Sequence, residues 1–278
     1  MVILAATAPL SRATFEKEEM EWRQQRLQRL TAADSWLSLV GLDWLNEGRN
    51  ALKLPGGPAG SVVLQKGRTT LEPAANSGLM IDGKAVTRPV ELRNDFDPKG
   101  ATVVKRGSVE FEIIKRNDRY AVRVKDANSA ARRNFKGLQY FAPDPRWKLV
   151  AKFQPYNPPK KIRITNVLGM TSDEVSPGAL AFTIGGKQYR VDPILEQGET
   201  DLFLIIKDQT SRDLTYQAAR YLYAHPPGKD GTTIVDFNRA YNPPCAFTPY
   251  ATCPLPPKQN VLPFRIEAGE KRYAGGRH

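Results

Sequence analysis

Cysteine and histidine are scarce in this chain, with two of each among 278 residues. So few thiolate and imidazole ligands argue against a multi-ligand metal site. No stretch approaches the roughly 18 consecutive apolar residues of a membrane span. The chain also contains no phosphate-binding glycine loop, no zinc-protease motif and no calcium-binding loop, so the sequence predicts neither a metal nor a cofactor.

The overall composition is that of a globular protein. Hydrophobic residues make up 41% and charged residues 25% of the chain, which excludes a disordered or fibrous protein. A chain of this length buries a core without metal or disulfide crosslinks. The 41 Lys and Arg exceed the 29 Asp and Glu, which leaves a net charge of +12.

Half of that net charge lies in one stretch. Lys105–Lys136 contains ten Lys or Arg and four Asp or Glu. Such a stripe is a candidate for contact with nucleic acid or an anionic surface. However, the chain has no arginine-rich helix, zinc-finger spacing or aromatic RNA-binding motif, and the stretch alternates like a β-hairpin. We therefore do not expect nucleic acid to be a partner.

The hairpin interpretation predicts specific charge pairs. If Asn117-Asp118 forms a two-residue turn, Glu112 faces Arg123 and Glu110 faces Lys125 on the adjacent strand. Charges placed in this way neutralise one another on a solvated face.

The fold class predicted from the patterns is mainly β, with antiparallel sandwich or barrel-like sheets and an N-terminal amphipathic helix. The helix is predicted over Phe15–Ala33, with an apolar side made by Phe15, Met20, Trp22, Leu27 and Leu30. We expect it to be the longest helix and to pack on a sheet. Gly185-Gly186 predicts a second tight hairpin.

Short extended runs follow the helix. The strands predicted in the first half are Ala51–Leu54, Ser61–Gln65, Leu79–Ile81, Val86–Leu92, Thr102–Lys105, Val109–Lys115 and Arg119–Lys125. Those predicted in the second half are Lys148–Phe153, Lys161–Val167, Ala179–Ile184, Lys187–Asp192, Asp201–Lys207, Arg220–Tyr223, Thr232–Phe237 and Leu262–Glu267.

These patterns suggest a division of the chain into residues 1–35 (a tail and the helix), 36–142 (a first β-rich half) and 143–278 (a second β-rich half). The order and spacing of three short motifs resemble those of forkhead-associated sandwiches. The motifs are Gly48-Arg49-Asn50, Ser61–Leu64 and Ile81–Lys84. The arginine-serine-histidine signature that binds phosphothreonine is missing, so a shared fold would not imply that function.

The segment Asp236–Pro257 is unusual in composition. Seven of the 22 prolines lie between Tyr241 and Pro263. Proline cannot donate to a sheet ladder, so a rigid, irregular loop is predicted here. Because the loop is also apolar, we expect it to fold back over the sheets, with its backbone groups satisfied by side chains such as Asn238 and Asn242.

Long motifs resemble one family, the bacterial domain-of-unknown-function 1684 family. The resemblance rests on Asp208-Gln209-Thr210, Thr215-Tyr216, Arg220-Tyr221-Leu222, the Asp236–Pro257 loop, Asn260, Leu262 and Ala268-Gly269-Glu270. Gly41-Leu42, Trp44-Leu45, Val122–Asp126 and Asn134–Gly137 extend it upstream. The family's name specifies no activity, so the resemblance implies none. Members often resemble exported proteins, which favours an extracytoplasmic location and a signal remnant in the apolar start Val2–Leu10.

Cys245 and Cys253 lie within the proline-rich loop. A disulfide between them is one hypothesis, and it requires their Cα atoms to lie within about 7 Å of each other. Two buried free thiols, or less readily a metal or catalytic role, are the alternatives. His225 follows an apparent strand, and we interpret it as an exposed loop histidine rather than a catalytic base because no nucleophile motif accompanies it.

Eight polar residues of the second half are candidate ligand-binding residues: Thr215, Tyr216, Arg220, Asp236, Asn238, Tyr241, Asn242 and Asn260. Asp236 and Asn238 are expected on one face of a strand, with Arg220 paired to Asp236 at the centre. The functional hypothesis is a polar pocket beneath the loop. The structural alternative is a network that only pins the loop, since each group satisfies another.

Three functions remain open at this stage. The first is binding of a small or acidic ligand in that pocket. The second is a hydrolase-like or thiol-dependent enzyme that uses Cys245 or Asp236 in the same place. The third is a structural module whose basic first half contacts an envelope polymer.

Overall fold

The structure is a computed structural model that describes residues 11–196 and 198–275. The segment Val2–Leu10, predicted to be a signal remnant, lies outside the described residues. Contacts divide the chain into two compact units. Of the described residues, unit 1 comprises 11–29, 137–196, 198–246 and 252–275, while unit 2 comprises Leu30–Lys136 and Phe247–Ala251. The division at 35 and 142 suggested by the sequence stays a prediction.

Helix α1 spans Arg12–Thr31, close to the predicted Phe15–Ala33, and it is the longest helix of the described residues. The chain is mainly antiparallel β, as predicted. A second, short helix α2 covers Ala130–Arg133. Within the described residues, six 3-10 helices lie in the connections, at Trp36–Ser38, Pro145–Trp147, Gln209–Arg212, Phe237–Arg239, Pro244–Ala246 and Lys258–Asn260.

Unit 2 contains two antiparallel sheets that share one core. Its strands are β1 (Leu39–Trp44), β2 (Gly48–Ala51), β3 (Gly60–Gln65), β4 (Arg68–Pro73), β5 (Met80–Ile81), β6 (Lys84–Ala85), β7 (Val90–Leu92), β8 (Val104–Arg106), β9 (Val109–Arg116) and β10 (Arg119–Asp126). They are ordered β1-β10-β9-β8-β5-β6 and β2-β3-β4-β7. Side chains from both sheets, such as Leu71 and Phe111, are buried together. Strands β1, β4 and β6 were not predicted, and the predicted strand Ala51–Leu54 shares only Ala51 with β2.

The predicted hairpin in unit 2 is confirmed. Strand β10 pairs with β9 so that Glu112 lies opposite Arg123 and Glu110 lies opposite Lys125. Both pairs form ion pairs, with N–O distances of 3.5 and 3.7 Å. Alternation with period two and a tight turn are local properties, so the sequence was sufficient to set this register.

The described part of unit 1 contains two further antiparallel sheets. Its strands are β11 (Lys148–Thr165), β12 (Thr171–Ile184), β13 (Lys187–Val191), β14 (Ile194–Leu195), β15 (Leu202–Ile206), β16 (Arg220–Ala224) and β17 (Thr232–Asp236). They are ordered β13-β12-β11-β17 and β14-β15-β16. The predicted turn at Gly185-Gly186 is confirmed, because it joins β12 to β13 and both glycines have positive φ.

Three strand predictions in unit 1 are wrong in detail. Lys148–Phe153 and Lys161–Val167 belong to one long strand, β11, which pairs with β12 across an irregularity. Leu262–Glu267 is not a strand. Leu262, Ile266 and Ala268 are buried, but their segment does not pair with a neighbouring strand. Apolar alternation in this stretch reflects packing against the core of unit 1 rather than sheet formation.

The face that α1 buries differs from the predicted one. Met20 and Leu27 are 59% and 40% exposed, whereas Phe15 and Leu30 are buried. Between these two apolar residues, the buried positions are occupied by Glu19 and Arg26. A helical pattern by itself does not predict buried charges, because the partners of Glu19 and Arg26 come from distant parts of the chain.

Candidate functional site

Arg220, predicted to be the centre of the polar cluster, is buried, and both of its Nη atoms are hydrogen-bonded. It is 2% exposed, and its Nη2 donates to Asp208 Oδ2 at 2.6 Å and to the Ile266 carbonyl at 3.0 Å. Its Nη1 donates to the Ala268 carbonyl. The predicted Arg220–Asp236 pair is therefore wrong, since the ion-pair partner of Arg220 is Asp208.

Strand geometry explains this partner. Arg220 lies opposite Ile206 on β15, so Asp208, just beyond the end of that strand, reaches the guanidinium. Asp208 Oδ1 also accepts from the Thr210 hydroxyl at 2.6 Å, and Thr210 bonds to the hydroxyl of Thr215 at 2.9 Å. Thr215 thus belongs to the Arg220 network. The run Asp208-Gln209-Thr210, noticed only as part of the family resemblance, was the available sequence clue.

Asp236 and Asn238 form a second network, next to α1. Strand β17 ends at Asp236, whose Oδ1 accepts from the backbone N–H of Asn238 at 3.0 Å and caps the 3-10 helix Phe237–Arg239. Asn238 therefore does not continue the strand, contrary to the prediction. Its amide bonds both backbone groups of Asp144, at 2.9 and 3.0 Å, which ties the start of the proline-rich loop to the segment before β11.

Glu19 on α1 lies beside this second network. It is fully buried, and its Oε1 accepts from Arg239 Nε at 2.9 Å. The same Nε lies 3.8 Å from Asp236 Oδ2. Glu19 Oε2 and Asp236 Oδ2 are both buried without a hydrogen-bond partner among the described residues. Burial, followed by the charge of Asp236, raises the pKa of Glu19, and Arg239 only partly opposes that rise.

Asn242 joins a third network, centred on Glu270. The fully buried Glu270 accepts from Arg26 Nε at 2.9 Å through Oε1 and from the Asn242 backbone N–H at 2.8 Å through Oε2. The Asn242 side chain donates to the Lys271 carbonyl at 2.8 Å. Gly269 makes this approach feasible, because it has a φ of +77° and a Cβ there would lie 2.3 Å from the Ala240 carbonyl oxygen.

Asn260 is held apart from these three networks. Its side chain bonds the backbone N–H of Asp192 at 2.8 Å, the carbonyl of Asp192 at 2.9 Å and the carbonyl of Ile205 at 3.1 Å. With every polar atom of the side chain engaged, Asn260 connects the last part of the chain to β15.

The two cysteines form a disulfide, with their Cα atoms 6.1 Å apart. Their predicted proximity is confirmed, and the chain has no free cysteine. The loop that contains them has no β-strand over residues 237–257. Its second half folds back on unit 1 as predicted, because the Tyr221 hydroxyl donates to the Pro254 carbonyl at 2.9 Å and Leu255 N–H donates to the Thr165 carbonyl at 2.8 Å.

Two of the eight predicted residues, Tyr216 and Tyr241, belong to an aromatic group that was not predicted from the sequence. We call this group the tyrosine cluster. Its members are Phe203, Tyr216, Tyr221, Tyr223 and Tyr241, with Glu196 at its edge. The Phe203 ring stacks on Tyr223 with centroids 4.9 Å apart, and it meets Tyr221 edge to face at the same distance. Backbone bonds of 2.9 Å in both directions join Tyr241 to Tyr221.

The cluster reaches the surface at Tyr223, which is 43% exposed. Its hydroxyl donates to Glu196 Oε2 at 2.7 Å. Burial raises the pKa of Tyr221, Tyr223 and Tyr216, and it raises the pKa of Tyr241 to about 12. All four phenols are therefore neutral at physiological pH.

Arg26 connects the tyrosine cluster to Glu270. Its guanidinium lies over the Tyr241 ring, 4.6 Å from the centroid, while its Nε is bonded to Glu270. Period two in β16 and strand pairing with β15 place Tyr221, Tyr223 and Phe203 on the face opposite the core. The alternation of side chains along β15 and β16 could have predicted this aromatic face. It could not have predicted that Arg26, on α1, contacts it.

His225 is an exposed residue after β16, as predicted. Its side chain is 87% exposed, and Nδ1 lies 3.0 Å from Asp201 Oδ1. Among the described residues, Asp201 is the hydrogen-bond partner of the His225 imidazole, while the Thr233 hydroxyl bonds only to the His225 backbone carbonyl, so the ring is not placed as the base of a neighbouring nucleophile.

Two open clefts lie elsewhere, in unit 2. The larger, about 840 Å³, is lined by residues that include Arg49, Ser61 and Glu72. The smaller, about 250 Å³, is lined by residues that include Lys115 and Tyr120. None of the eight predicted residues lines either cleft. Within residues 11–196 and 198–275, no three His, Cys, Asp or Glu side chains are grouped so as to hold a metal ion.

Comparisons with known proteins identify the family. A family model described as "Protein of unknown function (DUF1684)" matches residues 133–271, half of the chain. The protein belongs to this family, and the resemblance found in its motifs is confirmed. Its bacterial origin stays a prediction.

One solved structure with clear sequence similarity is the solution NMR structure of an uncharacterized protein from Haloarcula marismortui. It is 28% identical, with 52% of this chain and 80% of that chain covered and a TM-score of 0.44. A search of curated proteins gives no match. As far as the structure describes the chain, it contains no helix long and apolar enough to cross a membrane.

Proposed function

We propose that unit 1 is a small-molecule-binding module and that its ligand contacts the tyrosine cluster. The proposal rests on one observation, the exposure and the contacts of the Tyr223 side chain. The residue is 43% exposed, yet its ring is stacked on the buried Phe203 and its hydroxyl is fixed by Glu196. A rigid aromatic ring with one open side and a polar group at its edge provides contact area at little entropic cost.

The other predicted polar residues support this surface rather than contact the ligand. Arg220 and Asn260 are bonded to backbone carbonyls on several sides, and Asn238 is bonded to Asp144. Asn242 and Glu270 hold Arg26 against Tyr241. Buried hydrogen-bond networks of this kind fix side-chain positions, which is the role we assign to Thr215, Arg220, Asp236, Asn238, Asn242 and Asn260.

The disulfide argues against the thiol-dependent alternative. A sulfur bonded to another sulfur is not a thiolate and cannot attack a substrate. The disulfide also supports the proposal that the protein works outside the reducing cytoplasm. The hypothesis of a basic module that contacts an envelope polymer stays a prediction.

The proposal is tested by screening a chemically diverse fragment library with ligand-observed NMR. Hits are repeated on Tyr223→Leu, which removes the ring at an exposed position. Tyr250→Leu is the matched control, because Tyr250 is also a partly exposed tyrosine, 36% accessible, and lies outside the cluster. Hits that are lost in Tyr223→Leu and retained in Tyr250→Leu support the proposal. Hits that survive Tyr223→Leu, or a library without hits, contradict it.

A further inference from the structure

We propose that the ligand of the tyrosine cluster is a small organic cation of the alkylammonium class. This inference rests on the proposed function and specifies its ligand chemistry. It depends on the juxtaposition of the open Tyr223 ring with the Glu196 carboxylate, whose Oε2 lies 2.7 Å from the Tyr223 hydroxyl oxygen.

Charge complementarity supports a cation. Val191–Ile206 contains Asp192, Glu196, Glu199 and Asp201 and no Lys, Arg or His, in a chain whose net charge is +12. Two of these acids lie beside β16. Glu196 is bonded to Tyr223 in the strand, and Asp201 lies 3.0 Å from His225, the residue that follows the strand. Carboxylates therefore lie beside Tyr223 and beside the residue that follows β16, and an anionic ligand bound against Glu196 would face a like charge.

The aromatic groups favour the same class of ligand. The face of a neutral phenol ring carries negative potential, which attracts an ammonium group placed within about 6 Å of the centroid. Unit 1 already uses this interaction internally, with Arg26 4.6 Å from the Tyr241 centroid and Arg23 4.4 Å from the Tyr140 centroid. The open side of Tyr223 offers an incoming cation the same attraction, with a carboxylate to neutralise its charge.

A neutral ligand such as a sugar would also stack on an exposed ring, but it would gain nothing from the acidic segment. Cation and neutral ligand are distinguished by an isosteric pair of probes. Choline and 3,3-dimethyl-1-butanol have nearly the same shape, and only choline carries a charge. Their dissociation constants are measured by NMR titration at equal ionic strength, because dissolved salt screens the attraction between exposed charges.

We expect choline to bind at least about tenfold more tightly than its neutral isostere. Tyr223→Leu should abolish choline binding, and Glu196→Gln should weaken it about tenfold while leaving the isostere unaffected. Tyr223→Phe keeps the ring and should retain most of the binding. Glu199→Gln is the matched control, since it removes one charge from the same segment without touching the Tyr223 hydroxyl.

Equal binding of choline and the isostere, with both lost in Tyr223→Leu, would overturn the cationic ligand and leave the proposed function standing. Choline that fails to bind the wild-type protein at millimolar concentration would also overturn the inference. The fragment screen then decides separately whether the tyrosine cluster binds small molecules.

Discussion

The Glu19 carboxylate and the Arg239 guanidinium meet at 2.9 Å although 220 residues separate them in the chain. This contact joins α1 to the 3-10 helix that follows β17. Arg239 is shared, since Asp236 Oδ2 lies 3.8 Å from the same nitrogen. The two buried carboxylates, Glu19 and Asp236, together carry more negative charge than the one guanidinium of Arg239 balances. Lys148 does not remove this excess, because it is itself paired with Glu18 at 3.3 Å.

The first prediction concerns the pH dependence of this contact. The pKa of Glu19 is raised, so the folded protein holds a proton on Glu19 at pH values where the unfolded chain has lost it. The contribution of Glu19 to stability is therefore full below its ordinary pKa and is lost as pH rises through the raised value. Glu19→Gln, which mimics the protonated form, should flatten that decline and stay within about 1 kcal/mol of wild type at acidic pH.

Urea unfolding at a series of pH values measures this effect. Glu21→Gln is the control, because Glu21 lies on the exposed side of α1, 59% accessible. If Glu19→Gln and the wild type show parallel stability curves, Glu19 is ionised in the folded protein and the prediction is wrong.

The second prediction concerns the buried pair of Arg220 and Asp208, whose side chains are 2% and 1% exposed. Asp208→Ala should destabilise the protein by about 3–5 kcal/mol, because it leaves the guanidinium buried without its counter-charge. The double variant Asp208→Ala with Arg220→Met should cost less than the sum of the single changes.

Chemical denaturation of the four proteins in this cycle measures the coupling. Asp236→Ala combined with Arg220→Met is the comparison, and it should be additive because these two residues belong to separate networks. Strict additivity for Asp208 and Arg220 would show that the pair is not coupled.

The third prediction concerns the disulfide between Cys245 and Cys253, eight residues apart in sequence. Replacing both cysteines by serine should lower the free energy of unfolding by roughly 2.5 kcal/mol, because the closed loop restricts the unfolded chain. Intact-mass measurement without reductant should give a mass lower by two hydrogen atoms than with reductant. Full alkylation of both thiols in the native, unreduced protein would refute the bond.

The fourth prediction concerns the face of α1. Met20→Gln should change stability by less than about 0.5 kcal/mol, since Met20 is largely exposed, and Leu27→Gln should cost less than about 1 kcal/mol, since Leu27 is only partly covered. Arg26→Met should cost about 3 kcal/mol, because it leaves the buried Glu270 without its ion pair. Thermal and urea unfolding compare the three variants, and a larger loss from Met20→Gln than from Arg26→Met would contradict the assigned face.

Local patterns were sufficient for much of this fold. Alternation and tight turns predicted the hairpin in which Glu112 faces Arg123, and Gly185-Gly186 predicted the turn between β12 and β13. The position of α1 followed from a run of good helix formers. The spacing of Cys245 and Cys253 in a stiff loop made their proximity predictable. These features share one cause, which is that the interacting residues are close in sequence.

Tertiary structure alone decided which charged groups meet. Asp236 and Arg220 were both expected near one loop, but the strand end at Asp236 turns it toward Glu19, while Arg220 faces Asp208. The buried side of α1 was decided by Arg239 and Glu270, because a helix buries a charge only where a distant partner compensates its lost hydration. Sequence patterns record which residues alternate along a segment, but the partner of a buried charge is set by how separate segments pack.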